Sequence, residues 1–112
     1  MLINIDTMQG AVVVRPAGEI DLGVSERLRT SIDTALEQYE TGHLIINLKS
    51  VSYIDSSGLG VLLGRYKRLA ASGGRVSLVA PMPQVKKILE LSGLLRIMGE
   101  YRSEEEAVAG AV

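Results

Sequence analysis

The spacing of hydrophobic residues changes several times along the chain, and each change marks an element. Met1, Ile3 and Ile5 alternate with Asn4 and Asp6, a period of two that predicts a short strand, although Leu2 interrupts its polar face. Gln9-Gly10 supplies a turn, and the β-branched run Ala11 to Arg15 predicts a second strand, so the two read as a hairpin. Pro16-Ala17-Gly18 stops or bends that strand, and Gly18 to Gly23 reads as a loop close to a helix start. From about Val24 to Tyr39, residues Leu28, Ile32, Ala35, Leu36 and Tyr39 fall at helical spacing, with Arg27, Arg29, Asp33 and Glu37 on the other faces. Thr41-Gly42 ends this helix. His43 to Leu48 is nearly all apolar, as expected for a strand covered on both faces.

Lys49 to Ile54 leads into a polar turn, Asp55-Ser56-Ser57-Gly58. A second helix is predicted from about Ser57 to Ala71, its apolar stripe formed by Leu59, Leu62, Leu63, Tyr66, Leu69 and Ala70 and its end marked by Gly73-Gly74. Arg75 to Ala80 is a further strand. Pro83 to Leu91 is a third helix, with proline where its missing N–H has no partner to lose, and Ser92-Gly93 caps it. Leu94 to Met98 reads as a short apolar strand or turn. Ser103 and Glu106 form a capping-box pattern for a last helix, to about Ala109. Crossovers through helices imply parallel pairing. The fold class is therefore α/β: one domain over residues 1–112, with a mixed sheet, mostly parallel after its N-terminal hairpin, flanked by about four helices that could all lie on one face.

Composition narrows the function. Hydrophobic residues make up 46% of the 112 and charged residues 22%, ordinary for a folded domain; with four Tyr and no Phe or Trp, the core must be aliphatic. Twelve basic against thirteen acidic residues argue against nucleic acid as a partner. The absence of cysteine removes thiol catalysis and thiolate metal sites and fits a reducing compartment. No signal peptide or membrane span is evident, so the expected setting is cytoplasmic, without membrane contact.

The candidate chemistry sits at the polar turn. Asp55 and Ser56 can accept hydrogen bonds from the free N–H groups of a helix start, and an ordinary N-cap would explain one such residue. Here three capping-type residues precede two glycines, Gly58 and Gly60, which would leave the first turn bare for another macromolecule to approach. A phosphoryl group on Ser56 or Ser57 would add about −1.5 to −2 charges, which a helix N-terminus favours by ~0.3–1 kcal/mol. Such a phosphate should not unfold the helix but change what docks on it.

The run Asp55-Ser56-Ser57-Gly58-Leu59-Gly60-Val61, continuing through Leu62-Leu63-Gly64-Arg65-Tyr66-Lys67, closely resembles the bacterial anti-sigma factor antagonists, the STAS-domain family, and most of all its sporulation members, the anti-sigma F factor antagonists. Gly18-Glu19-Ile20-Asp21 is similar to that family's Gly-Glu-hydrophobic-Asp signature, and Leu91-Ser92-Gly93-Leu94 to its late Ser-Gly-Leu element. The three stand in the family's order over nearly the whole chain. The resemblance implies a protein, not an enzyme, that binds an anti-sigma factor serine kinase and so frees a sigma factor. It implies phosphorylation at Ser56 from ATP, release of the kinase, and resetting by a serine phosphatase. Asp21, Asp55, Ser56, Ser57, Gly58 and Leu59 are the expected partner-binding residues, with no cofactor and a monomer when free. Leu22-Gly23-Val24 departs from the sporulation members in being more apolar.

Other readings fit the residues less well. Ser56 or Ser57 as a nucleophile with His43 as base lacks the G-x-S-x-G elbow, and His43 stands at the opposite end of its strand from the turn; it reads as an ordinary strand-start residue. A nucleotide site lacks a Walker-type lysine. A STAS-like subunit of a lipid-transport complex or stress-signalling scaffold keeps the fold and changes the role. Arg65, Lys67 and Arg68 read as a solvated helix face, and Glu104-Glu105-Glu106 as helix N-terminal charge.

Overall fold

The structure is a computed structural model, described over residues 1–110; Ala111 and Val112, which the expected domain range includes, lie outside the described residues. β1 (Leu2–Met8) and β2 (Ala11–Ile20) form the expected hairpin, Met8 opposite Ala11. Its two-residue turn puts both Gln9 (φ 48°) and Gly10 (φ 84°) in the left-handed region, as the twist of a tight hairpin demands.

β2 does not stop at Pro16. It runs to Ile20 and changes partner on the way. Val12 to Val14 pair in parallel with β3 (His43–Asn47), whereas Gly18 to Ile20 pair in parallel with β4 (Val51–Ile54). The change falls at Gly18, whose φ of 115° only glycine adopts easily, and the register slips between Gly18 and Glu19. The expected loop is thus a bulged continuation of the strand. β3 pairs with β5 (Arg75–Val79), and β5 with a three-residue β6 (Gly99–Tyr101) that the hydrophobic pattern did not signal. The order is β1-β2-β3-β5-β6, with β4 on the split end of β2.

α1 (Leu22–Tyr39), α2 (Ser56–Ala70) and α3 (Pro83–Leu91) pack on one face. They bury Leu28, Ile32, Leu36, Leu62, Leu69, Val85 and Leu89 against Val12, Val14, Leu44, Ile46 and Leu78. Because strand side chains alternate, Ala11, Val13, Ile45 and Val79 point the other way. They are covered by α4 (Glu104–Ala109) through Ala107, so helices lie on both faces rather than on one. Leu94 to Arg96, expected as strand or turn, is a single 3-10 turn. Among the described residues, no helix is long and apolar enough to cross a membrane.

Glu104 is not simple helix-end charge. It is 9% exposed and grips Arg15 with both oxygens, at 2.7 and 2.8 Å, while Asn47 donates to Oε2 at 2.8 Å. Nor is Arg65 solvated: its side chain is 12% exposed and lies 3.0 Å from Asp33 of α1, which also meets Arg68 at 3.0 Å. Arg65 and Arg68 fasten α1 to α2, while Lys67 is exposed as expected.

Candidate functional site

Parallel pairing of Ile20 with Ile54 brings two strand ends to the same edge of the sheet. One residue further on, each strand gives way to a helix. Asp21 (φ −115°, ψ −176°) and Asp55 (φ −104°, ψ −174°) are both extended and both N-caps, and the Asp55 N–H donates to Ile20 O at 3.1 Å. The N-termini of α1 and α2 therefore open side by side, with a carboxylate at each. Asp21 Oδ1 accepts from Gly23 N at 3.0 Å. Asp55 Oδ1 accepts from Ser57 N at 2.9 Å, Gly58 N at 3.2 Å and the Ser57 hydroxyl at 2.5 Å. The Ser57 hydroxyl does most to hold the Asp55 carboxyl below its ordinary titration range, with help from the backbone N–H groups of Gly58, Ser57 and Leu22. Asp55 thus draws on both helix starts and stays ionised at neutral pH.

The two serines have different surroundings. Ser57 is half-buried and bound into a chain of contacts, its hydroxyl 2.6 Å from Ser25 Oγ, which in turn donates to Asp21 O at 2.8 Å. Ser56, the first residue of α2, is exposed and stands outside that chain. A free hydroxyl at the mouth of a helix, beside two carboxylates, is open to a transferring enzyme and to a docking protein alike.

The glycines divide as well. Gly58 was expected on the partner surface, but it is buried: a Cβ there would meet Ile54 Cγ1 at 2.6 Å and Ile20 Cγ2 at 2.7 Å. Its task is to let α2 start hard against the strand ends. Gly60 is exposed, with nothing within 4 Å of a Cβ, and is the glycine that leaves the helix surface bare. Leu59 is half-buried and rests against the main core. Ser25 escaped the sequence reading, because nothing in a pattern of local spacing links it to a residue 32 positions away. Leu22, read only as a departure, is 79% exposed at the first position of α1.

His43 is at the start of β3, on the opposite edge of the parallel strands from the serines. Its Nε2 lies 2.8 Å from Ser77 Oγ, and burial, helped by Arg75, lowers its pKa to about 4. It is neutral and serves the strand.

The STAS domain family model matches residues 3–107. The anti-sigma F factor antagonist of Paenibacillus polymyxa is 37% identical over 106 residues, covering 95% of this chain and 91% of that protein. The solved structure of the anti-sigma factor antagonist SpoIIAA in its unphosphorylated form superposes with a TM-score of 0.85 at 36% identity, covering 98% of this chain and 96% of that one. The Bacillus cell fate determinant SpoIIAA in its phosphorylated form gives a TM-score of 0.77 at 35% identity, covering 99% and 100%. Matched by the family model over residues 3–107 and by these proteins at 35% identity or more over nearly the whole of both chains, the chain belongs to the anti-sigma factor antagonist family of STAS domains.

Proposed function

We propose that this antagonist is switched by a phosphoryl group on Ser56. Unphosphorylated, it binds an anti-sigma factor that is also a serine kinase and so frees the sigma factor; phosphorylated, it lets the kinase go, and a serine phosphatase resets it. The setting is the cytoplasm, the chain acts as a binding protein rather than an enzyme, and no cofactor takes part. The observation that carries this reading is the contrast between the two hydroxyls: Ser56 is exposed beside Asp21 and Asp55, while Ser57 is tied to Asp55 and Ser25. A relative solved in a phosphorylated form supports it.

The physics needs no change of fold. The docking surface comprises Asp21, Asp55, Ser56, Ser57 and the edge of Leu59. A partner seated over it covers two carboxylates. Adding a dianion inside that contact costs ~3–4 kcal/mol in like-charge juxtaposition and desolvation, a loss of a few hundredfold in affinity. Calorimetric titration against the anti-sigma factor kinase should show Ser56→Asp strongly weakened and Ser56→Ala bound like the wild type. After incubation with ATP and that kinase, mass spectrometry should find one phosphate, absent from Ser56→Ala and retained by Ser57→Ala. Equal affinities for the Asp and Ala variants, or a phosphate lodged on Ser57, would refute the assignment.

A further inference from the structure

We propose that Leu22 is the apolar anchor of the partner interface, received by an apolar pocket of the anti-sigma factor kinase that is edged by arginine or lysine; this rests on the Ser56 switch proposed above. Leu22 opens α1 and is 79% exposed. The fold does not call for leucine there, since a helix start favours polar or acidic side chains, and this one is barely buried. Single exposed apolar residues are common on protein surfaces, and Leu2 and Leu91 are equally bare at the start of β1 and the end of α3. Leu22 differs from them in its place.

It stands within the acidic rim. Asp21 precedes it, and its own backbone N–H helps hold the Asp55 carboxylate ionised. It also walls a cleft of about 320 Å³ between α1 and α2, lined by Ser25, Ser57, Gly60 and Val61 and, further along the helices, by Glu26, Arg29 and Arg65, whose charges are tied to one another and to Asp33. Gly23 beside it and Gly60 across the cleft carry no side chain to keep a partner away. The surface thus presents one aliphatic knob, close to two carboxylates and to the bare backbone of Gly23 and Gly60. An apolar pocket closes over the knob, and a cation at its edge meets Asp21 and Asp55. Burial of the leucine supplies affinity without direction, while the carboxylates fix orientation and Ser56 supplies the switch.

The test is titration calorimetry of the full chain and of Leu22→Ala, Leu22→Asp and Ser56→Asp against the anti-sigma factor kinase, with thermal unfolding as the control for folding. Leu22→Ala should bind about ten- to a hundredfold more weakly, the loss expected when a leucine no longer leaves water. Leu22→Asp should bind more weakly still, and both should melt close to the wild type. The rate of Ser56 phosphorylation by the same kinase should show a raised KM for Leu22→Ala with kcat retained. If Ser56→Asp releases the kinase but Leu22→Ala binds within about twofold of the wild type, the anchor is wrong and the switch stands. If Leu22→Ala is weakened while Ser56→Asp binds normally, the anchor stands and the switch is wrong. A wild-type chain that does not bind the kinase overturns both.

Discussion

Ser25 of α1 and Ser57 of α2 meet hydroxyl to hydroxyl at 2.6 Å, between the Asp55 carboxylate at one end and the Asp21 carbonyl at the other. Two hydroxyl protons serve three contacts, and both ends of the chain are acceptors. One contact is therefore without a proton at any moment, and the two serines act as a unit. Ser25→Ala and Ser57→Ala should each destabilise the fold by about 0.5–1 kcal/mol. Removing either hydroxyl takes away one bonded proton together with the contact left without one, so the double variant should cost more than the sum of the single changes. A double-mutant cycle by urea unfolding reads this directly; strictly additive losses would mean that the Ser25–Ser57 contact carries no penalty of its own.

Gly58 and Gly60 lie two residues apart and should respond in opposite ways. Gly58→Ala drives a methyl group against Ile54 and Ile20 at under 3 Å, where neither the strand ends nor the helix start can easily retreat. A loss of about 1–3 kcal/mol is expected, as for other overpacked cores. Gly60→Ala meets nothing within 4 Å, and alanine is the better helix former by ~1 kcal/mol, so the fold should gain stability. The same methyl stands on the proposed docking face, so Gly60→Ala should weaken kinase binding even as it raises the melting temperature. Thermal melts of the two variants, with binding measured for the second, separate the structural glycine from the surface one.

α4 is a short helix held to the back of the sheet by one polar anchor. Glu104 bonds Arg15 with both oxygens and also accepts from Asn47. The Arg15 hydrogen bonds do most to hold the Glu104 carboxyl below its ordinary 4.5. Replacing Glu104 with Ala leaves Arg15 only Asn4 and Asp6 and strips the buried Asn47 amide of its acceptor, so a loss of about 1–3 kcal/mol is expected, against less than ~0.5 kcal/mol for Glu105→Ala on the exposed side. A carboxyl with a depressed folded pKa stabilises fully above its unfolded value and loses that contribution as pH falls through the folded one. In Glu104→Gln the part of acid destabilisation that sets in below pH 4.5 should shrink, which unfolding midpoints between pH 3 and 5 would reveal.

Local periodicity made the helices and most strands legible. Leu28, Ile32 and Leu36 mark the buried stripe of α1, and the apolar run from His43 reads as a covered strand. The split of β2 was not legible, because Pro16 and Gly18 punctuate a turn and a bulged strand in the same way, and only pairing with β4 tells them apart. β6 was missed because three residues, Gly99 to Tyr101, are too few to show a period. At the site, the family-like runs pointed to Asp21, Asp55 and Ser56, and the structure brings the helix starts that carry them together. Gly58 was misread, since a sequence does not distinguish a glycine that faces a partner from one that faces Ile20 and Ile54. The run Glu104 to Glu106 looked uniform for a related reason: the buried member is singled out by Arg15 and Asn47, 89 and 57 residues away.

His43 should set the pH dependence of stability in the mildly acidic range. The ring is half-buried at the start of β3 against Ser77, and loss of water together with the nearby Arg75 brings its pKa from 6.5 down to about 4. For a base the charged form is the one disfavoured in the fold. Below pH 6.5 the unfolded chain takes up a proton that the folded chain refuses, so stability falls with pH until both states are protonated near pH 4. Allowing for partial exposure of the ring, the total is about 1–2 kcal/mol. Between pH 5 and 6.5 few carboxylates titrate, so the slope there belongs mainly to His43. His43→Gln can still bond the Ser77 hydroxyl and carries no titrating group. Its unfolding free energy should be flat from pH 5 to 7, where the wild type gains stability with rising pH. Urea unfolding of both proteins across that range is the measurement, and parallel curves would show that the ring titrates freely in the folded protein.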